Sequence, residues 1–404
     1  MTAGAAAVRP GLLDRLPRGA RAVAWIGLLV GLAAFWVTLP PFTARSVVLP
    51  LLLGLLGIAA GIWAVSRSVR RLGWGAIAIS VLAIALGVLA TRSSVDKLDA
   101  VVVWSALLAA MLRYATPLTF AAIGGMFSER SGVVNIGLEG MMLMGAFFGV
   151  VASDKLDSWP LGLLAAVLAG GLTALIHAFF SIHLRADQIV SGTAINFLAL
   201  GVTGYFFVDV YGDLGTPGGI PRIPDVTLPL IRDIPFLGDV IGQMNLMVWA
   251  SIALLFVSYI VMFRTPIGLR IRAVGEHPRA ADTVGISVYR VRYVCVVISG
   301  MLSAAGGAYL SIGFLGSFNE NMTAGRGFIA LAALIFGNWR PFGAFGAALL
   351  FGFSSALAQR LPEYSPSGAV LFQALPYALT LIAVAGVIGR SIPPAAVGRP
   401  YVKQ

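Results

Sequence analysis

The residues of this chain able to do chemistry are few and sit in apolar surroundings. Glu139 lies in the run Leu138-Glu139-Gly140-Met141-Met142-Leu143-Met144-Gly145, with Asn135 four residues before it, the spacing of two side chains on one helical face. A carboxylate in such a run is costly unless it is paired or faces water, so its default role is functional, with a structural hydrogen bond to a neighbouring helix as the alternative. Asn135, nearer the interface, caps or braces a helix or else contacts substrate. Asn196, in Thr193-Ala194-Ile195-Asn196-Phe197, offers an amide that reads a sugar hydroxyl or a base edge, or else braces a neighbouring helix. Asn319, Glu320 and Asn321 precede a glycine-flanked apolar run and either receive a small polar solute or form a solvated loop. Phe127, Phe314, Phe318 and Phe328 either stack on a flat ring or anchor helix ends at an interface. The candidate lining is therefore Asn135, Glu139, Asn196, Asn319, Glu320 and Phe328.

Catalysis and metal binding do not fit the pattern. No nucleophile is paired with a base. His177 and His183 are six apart, share no helical face and lack convergent carboxylates, and Cys295 is the single cysteine. A phosphate-cradling loop needs Gly directly before Lys, whereas Lys97, Lys155 and Lys403 follow Asp96, Asp154 and Val402. The chain is thus expected to be no enzyme and to bind no cofactor directly, with any ATP hydrolysed by another subunit.

The elements that must position these residues are membrane helices. The 404 residues are 58% apolar and 11% charged, too much apolar surface for a water-soluble fold to hide. About 20 apolar residues cross a bilayer as a helix, and such runs recur. Their continuity, without alternation, argues against spanning strands. Spans are expected near 22–39, 46–65, 72–90, 102–126, 133–151, 160–183, 188–209, 243–263, 291–312, 326–337, 341–359 and 370–389, an all-α polytopic bundle of about 12 spans. The run 326–337 is short and carries Gly325, Gly327 and Gly337, which reads as a half-helix held by protein or water.

The net charge of +11 is a topology signal before it is a nucleic-acid signal. Arg9, Arg15, Arg18, Arg21, Arg67, Arg70, Arg71, Arg130, Arg185, the arginines of 264–292, Arg340, Arg390, Arg399 and Lys403 fall on the side of the N-terminus. Against them stand Arg45, Arg92, Lys97, Lys155, Arg222, Arg232, Arg326 and Arg360, with Arg113 inside a span. Both termini are then cytoplasmic and the first helix is retained. Residues 1–95 form an accessory segment with three spans, 96–390 the core and 391–404 a cytoplasmic tail. The proline-rich outer segment 210–242 is expected to be an ordered cap with an interfacial helix near 228–237.

On the inner side, Pro278 suits a first helical turn, Ala280 and Ala281 propagate it, and Gly285 is a left-handed stop. That helix is too short to stand alone in water and must be packed against something. Before it come Gly275 and Glu276, and within it Arg279 and Asp282.

Four ordered segments carry a family resemblance. They are Ser128-Glu129-Arg130-Ser131-Gly132-Val133-Val134-Asn135-Ile136-Gly137-Leu138-Glu139-Gly140-Met141-Met142, then Ala186-Asp187-Gln188-Ile189-Val190-Ser191-Gly192-Thr193-Ala194-Ile195-Asn196, then 275–286, then Thr323-Ala324-Gly325-Arg326-Gly327-Phe328-Ile329-Ala330-Leu331-Ala332-Ala333 with 337–341. Together they resemble ABC importer permeases for nucleosides and simple sugars, over about residues 100–390. The resemblance implies a type II importer-like fold in the bacterial plasma membrane and a second, related permease making a heterodimer. It also implies a cytoplasmic ABC ATPase below and an extracellular solute-binding lipoprotein above. It makes Gly275, Glu276, Pro278, Arg279, Ala280, Ala281, Asp282 and Gly285 the coupling helix that meets the ATPase. Two readings compete: a permease for branched-chain amino acids, and an ion-driven secondary transporter with Glu139 as its proton site.

Overall fold

The computed structural model describes residues 18–37, 46–92, 103–364, 374 and 392–403. They divide into two compact units, residues 1–103 with 357–389 and residues 104–356 with 390–404. The expected span 370–389 lies outside the described residues apart from Ala374.

The first unit contains α1 (Arg18–Trp36), α2 (Val48–Ser66) and α3 (Arg70–Arg92). The buried stripe of α2 is Pro50, Gly54, Gly57, Gly61 and Ala64, a spacing of alternating three and four residues. Small residues there let backbones approach, with Gly57 against Gly31 of α1 and Gly61 against Gly73 of α3.

The second unit holds α4 (Trp104–Arg130), α5 (Leu138–Lys155), α6 (Trp159–Ala178, extended by a π-helical turn Phe179–His183) and α7 (Gln188–Tyr211). After an outer segment come α10 (Leu246–Arg264), α11 (Pro266–Glu276), α12 (Pro278–Thr283) and α13 (Val288–Ala308, extended by the π-helical Tyr309–Leu315). The short helix α14 (Arg326–Phe336) and α15 (Pro341–Tyr364) follow. Helix α13 is the axis of the packing, because its last turns are nearly all small: Gly300, Ser303, Ala304, Ala305, Gly306, Gly307 and Ala308 are buried. Gly300 lies on Gly170 of α6 and Gly307 on the main chain of Met142 of α5, so a methyl at either would meet backbone. Helix α10 buries Val248, Ser251, Leu255, Ser258 and Met262, one apolar stripe against the same core.

Seven helices among the described residues are long and apolar enough to cross a membrane, and Arg326–Phe336 is among the shorter apolar ones. Helix α5 falls outside the seven because it carries Glu139, Asp154 and Lys155. The helix expected from residue 133 begins at Leu138 instead, since Gly132 at φ +95° closes α4 and residues 131–137 stay irregular. Asn135 therefore shares no helical face with Glu139.

The segment expected to form the outer cap is ordered but built differently from a single interfacial helix. Two short helices, α8 (Pro229–Arg232) and α9 (Leu237–Ile241), sit between strands β1 (Asp225–Thr227) and β2 (Gln243–Asn245), which pair antiparallel with Asp225 opposite Asn245. Asn245 ties the cap down: its amide donates to the carbonyls of Ile223 and Gly313 at 2.8 and 3.1 Å, and its Oδ1 accepts from the N–H of Met247 at 3.0 Å.

Candidate functional site

The helix α14 of 11 residues rises about 16 Å, about half a hydrocarbon core, and its start leaves amide groups that its own turns do not satisfy. Gly325, its N-cap at φ +82°, has no side chain to accept them. Glu139 does so from another helix. Its Oε1 accepts from the N–H of Gly325 at 2.7 Å and its Oε2 from the N–H of Gly327 at 2.5 Å. The carboxylate is 7% exposed and lies at the positive end of the half-helix dipole. Gly327 packs so closely on the main chain of Glu139 that a Cβ there would collide with it. The cost of a charge in an apolar run is thus met by two backbone donors.

The approach to this cap is a chain of tight turns. Asn321 and Ala324 have φ of +53° and +44°, and Arg326 folds its guanidinium back on the carbonyls of Met322 and Thr323 at 2.9 and 3.0 Å. Asn319 and Glu320 are exposed on the turn that leads into the cap. Phe328 is 47% exposed on the first turn of the half-helix. The other candidate rings are not open in this way. Phe127 is buried, Phe314 packs on Tyr114, and Phe318 is fully buried between Phe147 and Phe207 at centroid distances of 5.1 and 5.3 Å.

Side chains of α6, α7 and α13 satisfy backbone groups of the irregular stretch 131–137, the last through Arg292 on the Ser131 carbonyl. Gln188 accepts from the N–H of Val134 at 2.7 Å, and His177 Nε2 lies 3.0 Å from the Val134 carbonyl, which fixes Nε2 as the protonated nitrogen. Nδ1 of the same ring meets Ser191 Oγ at 3.0 Å. Asn196 is wholly engaged here: its Nδ2 donates to the carbonyl of Ile136 and its Oδ1 accepts from the N–H of Gly140 at 2.8 Å. Asn135 Nδ2 donates to Ser299 Oγ of α13 at 2.9 Å. Both asparagines brace helices. The structure brings Glu139, Phe328, Asn319 and Glu320 to one region around the start of α14, and gives Asn135 and Asn196 structural work beside it.

At the other end of α14 the linker to α15 is locked to α4. Trp339 Nε1 donates to Glu129 Oε2 at 2.5 Å, while Arg130 donates to the carbonyls of Trp339 and Asn338 at 3.0 and 3.4 Å. The sequence offered His177 only as a rejected metal ligand and Glu129, Gln188 and Trp339 only within the family segments, because bracing residues have no spacing signature of their own.

The 264–292 segment forms two helices. Thr265 caps α11 by accepting from the N–H of Gly268 at 3.2 Å. The chain breaks at His277, and α12 closes as expected at Gly285, φ +84°, with Gly285 N–H on Asp282 O and Ile286 N–H on Ala281 O. Gly275 and Ala281 face inward, Asp282 is half-buried, and Glu276, Arg279, Ala280 and Gly285 are exposed. Residues 392–403 lie against this pair of helices and are not a free tail: Ala395 N–H donates to Glu276 Oε2 at 3.1 Å and Ala396 N–H to the Gly275 carbonyl at 2.9 Å.

The family model for the branched-chain amino acid transport system permease component matches residues 107–384. The guanosine ABC transporter permease protein NupQ of Bacillus subtilis is 46% identical over 321 residues, 76% of this chain and 99% of the relative. The nucleoside ABC transporter permease protein NupC of Lactococcus lactis is 40% identical over 74% of this chain and 96% of the relative. The guanosine ABC transporter permease protein NupP of B. subtilis is 25% identical over 67% and 82%. No solved structure matches significantly.

Proposed function

The chain belongs to the family of branched-chain amino acid transport system permease components, and from that premise we propose that it is the permease subunit of an ABC importer for nucleosides. The observation that carries the substrate class is the 46% identity to a guanosine permease along 99% of that protein's length. In this reading the α11–α12 end faces the cytoplasm, in keeping with its basic residues, and the exposed Arg279 and Ala280 of α12 meet a separate ATPase. A related second permease completes the pathway, as the two guanosine permeases named for B. subtilis suggest. An extracellular binding protein delivers the nucleoside to the cap side, where Asn319, Glu320 and Phe328 take it up with polar contacts and an aromatic face. Residues 1–95 are an accessory segment, all of it before the family match that begins at 107.

Glu139 favours this reading over a proton-driven carrier. Its two oxygens are occupied by backbone donors at the start of α14, which gives it a bracing role needing no proton exchange. The test is uptake of labelled guanosine, adenosine, uridine and ribose by cells expressing the chain with its candidate partners, with and without an ATPase-dead substitution in the partner. Nucleoside uptake that vanishes with the dead ATPase is the expected result. Uptake that persists until the proton gradient is dissipated would overturn the proposal.

A further inference from the structure

We propose that residues 392–403 are a coupling strap, the element through which the position of the ATPase-facing helix α12 is transmitted to the half-helix and the 131–137 loop. This rests on the proposed function, since it presumes an ATPase at α12. A six-residue helix cannot hold its own place, and the one buried residue of α12 is Ala281. Its floor is formed by Val274 of α11, Val288 of α13 and Tyr401 of the strap. The Tyr401 ring also meets Tyr289 edge-on at 5.6 Å, and the Tyr289 hydroxyl donates to the Tyr401 carbonyl at 3.4 Å.

From that floor the strap reaches every other element of this end. Ala395 and Ala396 bond Glu276 and Gly275 of α11. Gly398 N–H donates to the carbonyl of Gly132, and the buried Arg292 of α13 donates Nε to Ser131 O at 3.2 Å and Nη1 to Arg399 O at 3.1 Å. At the far end Ile392 N–H donates to Asn338 Oδ1 at 3.0 Å, in the linker behind the half-helix. One short segment therefore touches α12, α11, the loop before α5 and the α14–α15 linker. A displacement of α12 strains all of these contacts together. The family match ends at 384, before this segment.

The test uses the whole transporter, reconstituted in liposomes with its ATPase, partner permease and binding protein, and reads guanosine delivered per ATP hydrolysed. A chain ending at Ser391 and Tyr401→Ala are expected to keep hydrolysing ATP while that ratio falls by about tenfold or more. Tyr401→Phe keeps the ring and is expected to stay within about threefold of the parent chain. An unchanged ratio overturns the proposal, and so does loss of the ATPase subunit from the purified complex, which would make the segment a docking element. The second readout needs no transport: a spin label on the exposed Thr283, as Thr283→Cys in a Cys295→Ser chain, should become markedly more mobile when the strap is removed. If the unaltered complex moves no guanosine, the proposed function fails and this label alone decides the strap. An unchanged spectrum then overturns it.

Discussion

Replacing Glu139 isolates what holds the half-helix in place. The carboxylate accepts two backbone N–H groups, at 2.7 and 2.5 Å, in a site that is 7% exposed. Hydrogen bonds to a charged acceptor contribute about 1.5–3 kcal/mol each, and a buried donor left without a partner costs about 1–3 kcal/mol. Glu139→Ala orphans both amides, so the capped arrangement loses about 3–4 kcal/mol, a shift of 100-fold or more between docked and open half-helix. Glu139→Gln keeps one oxygen for one amide but turns its NH2 toward the other, for about 2 kcal/mol, or roughly 30-fold. Amide exchange reads this directly. In a purified complex the protection of a peptide covering 323–330 should fall by these factors, Ala more than Gln, while the seam of α13 with α5 and α6 keeps its protection. Uptake should follow the same order. Unchanged exchange at 323–330 in both variants would refute the capping role. Equal loss of uptake in both, with exchange intact, would instead assign the carboxyl to proton transfer.

Other substitutions probe the same frame. Gly327→Ala puts a methyl into the main chain of Glu139 and should destabilise by about 1–3 kcal/mol or more, seen as a lower thermal midpoint in detergent. Glu129→Gln and Trp339→Phe should couple by about 1–2 kcal/mol in a double-mutant cycle, because they share one buried hydrogen bond. His177→Ala should cost about 1–3 kcal/mol by unpairing the Val134 carbonyl, again by thermal midpoint. Burial, then the neighbouring Asp282 carboxylate, push the Tyr401 phenol above its ordinary value of 10.0. The strap therefore holds the neutral phenol: its contribution is full below that value and is lost as pH rises through the raised one, which the alkaline difference spectrum against Tyr401→Phe would register.

Continuous apolar runs were enough to place most helices, since span length and composition are dictated by the solvent, not by partners. The half-helix was legible because its three glycines and its shortness break that rule, and α12 because Pro278 and Gly285 punctuate it. Asn135 was misread. Spacing alone cannot reveal that Gly132 ends α4 in a left-handed turn and that side chains of α6, α7 and α13 satisfy backbone groups across 131–137. Glu139 was found by its cost in an apolar run, but its partner, Gly325 and Gly327 on a helix nearly two hundred residues later, could be known only from the fold. The strap left no trace in sequence, because its bonds are mostly from backbone and any residue can make them.

The central claim is that ATP bound by another chain drives a nucleoside through this one. Its most direct test is guanosine accumulation in liposomes containing the reconstituted transporter and no ion gradient. Accumulation against the guanosine gradient that starts on adding ATP and is abolished by an ATPase-dead partner is the predicted result. Accumulation that needs an imposed proton or sodium gradient and ignores ATP would contradict it.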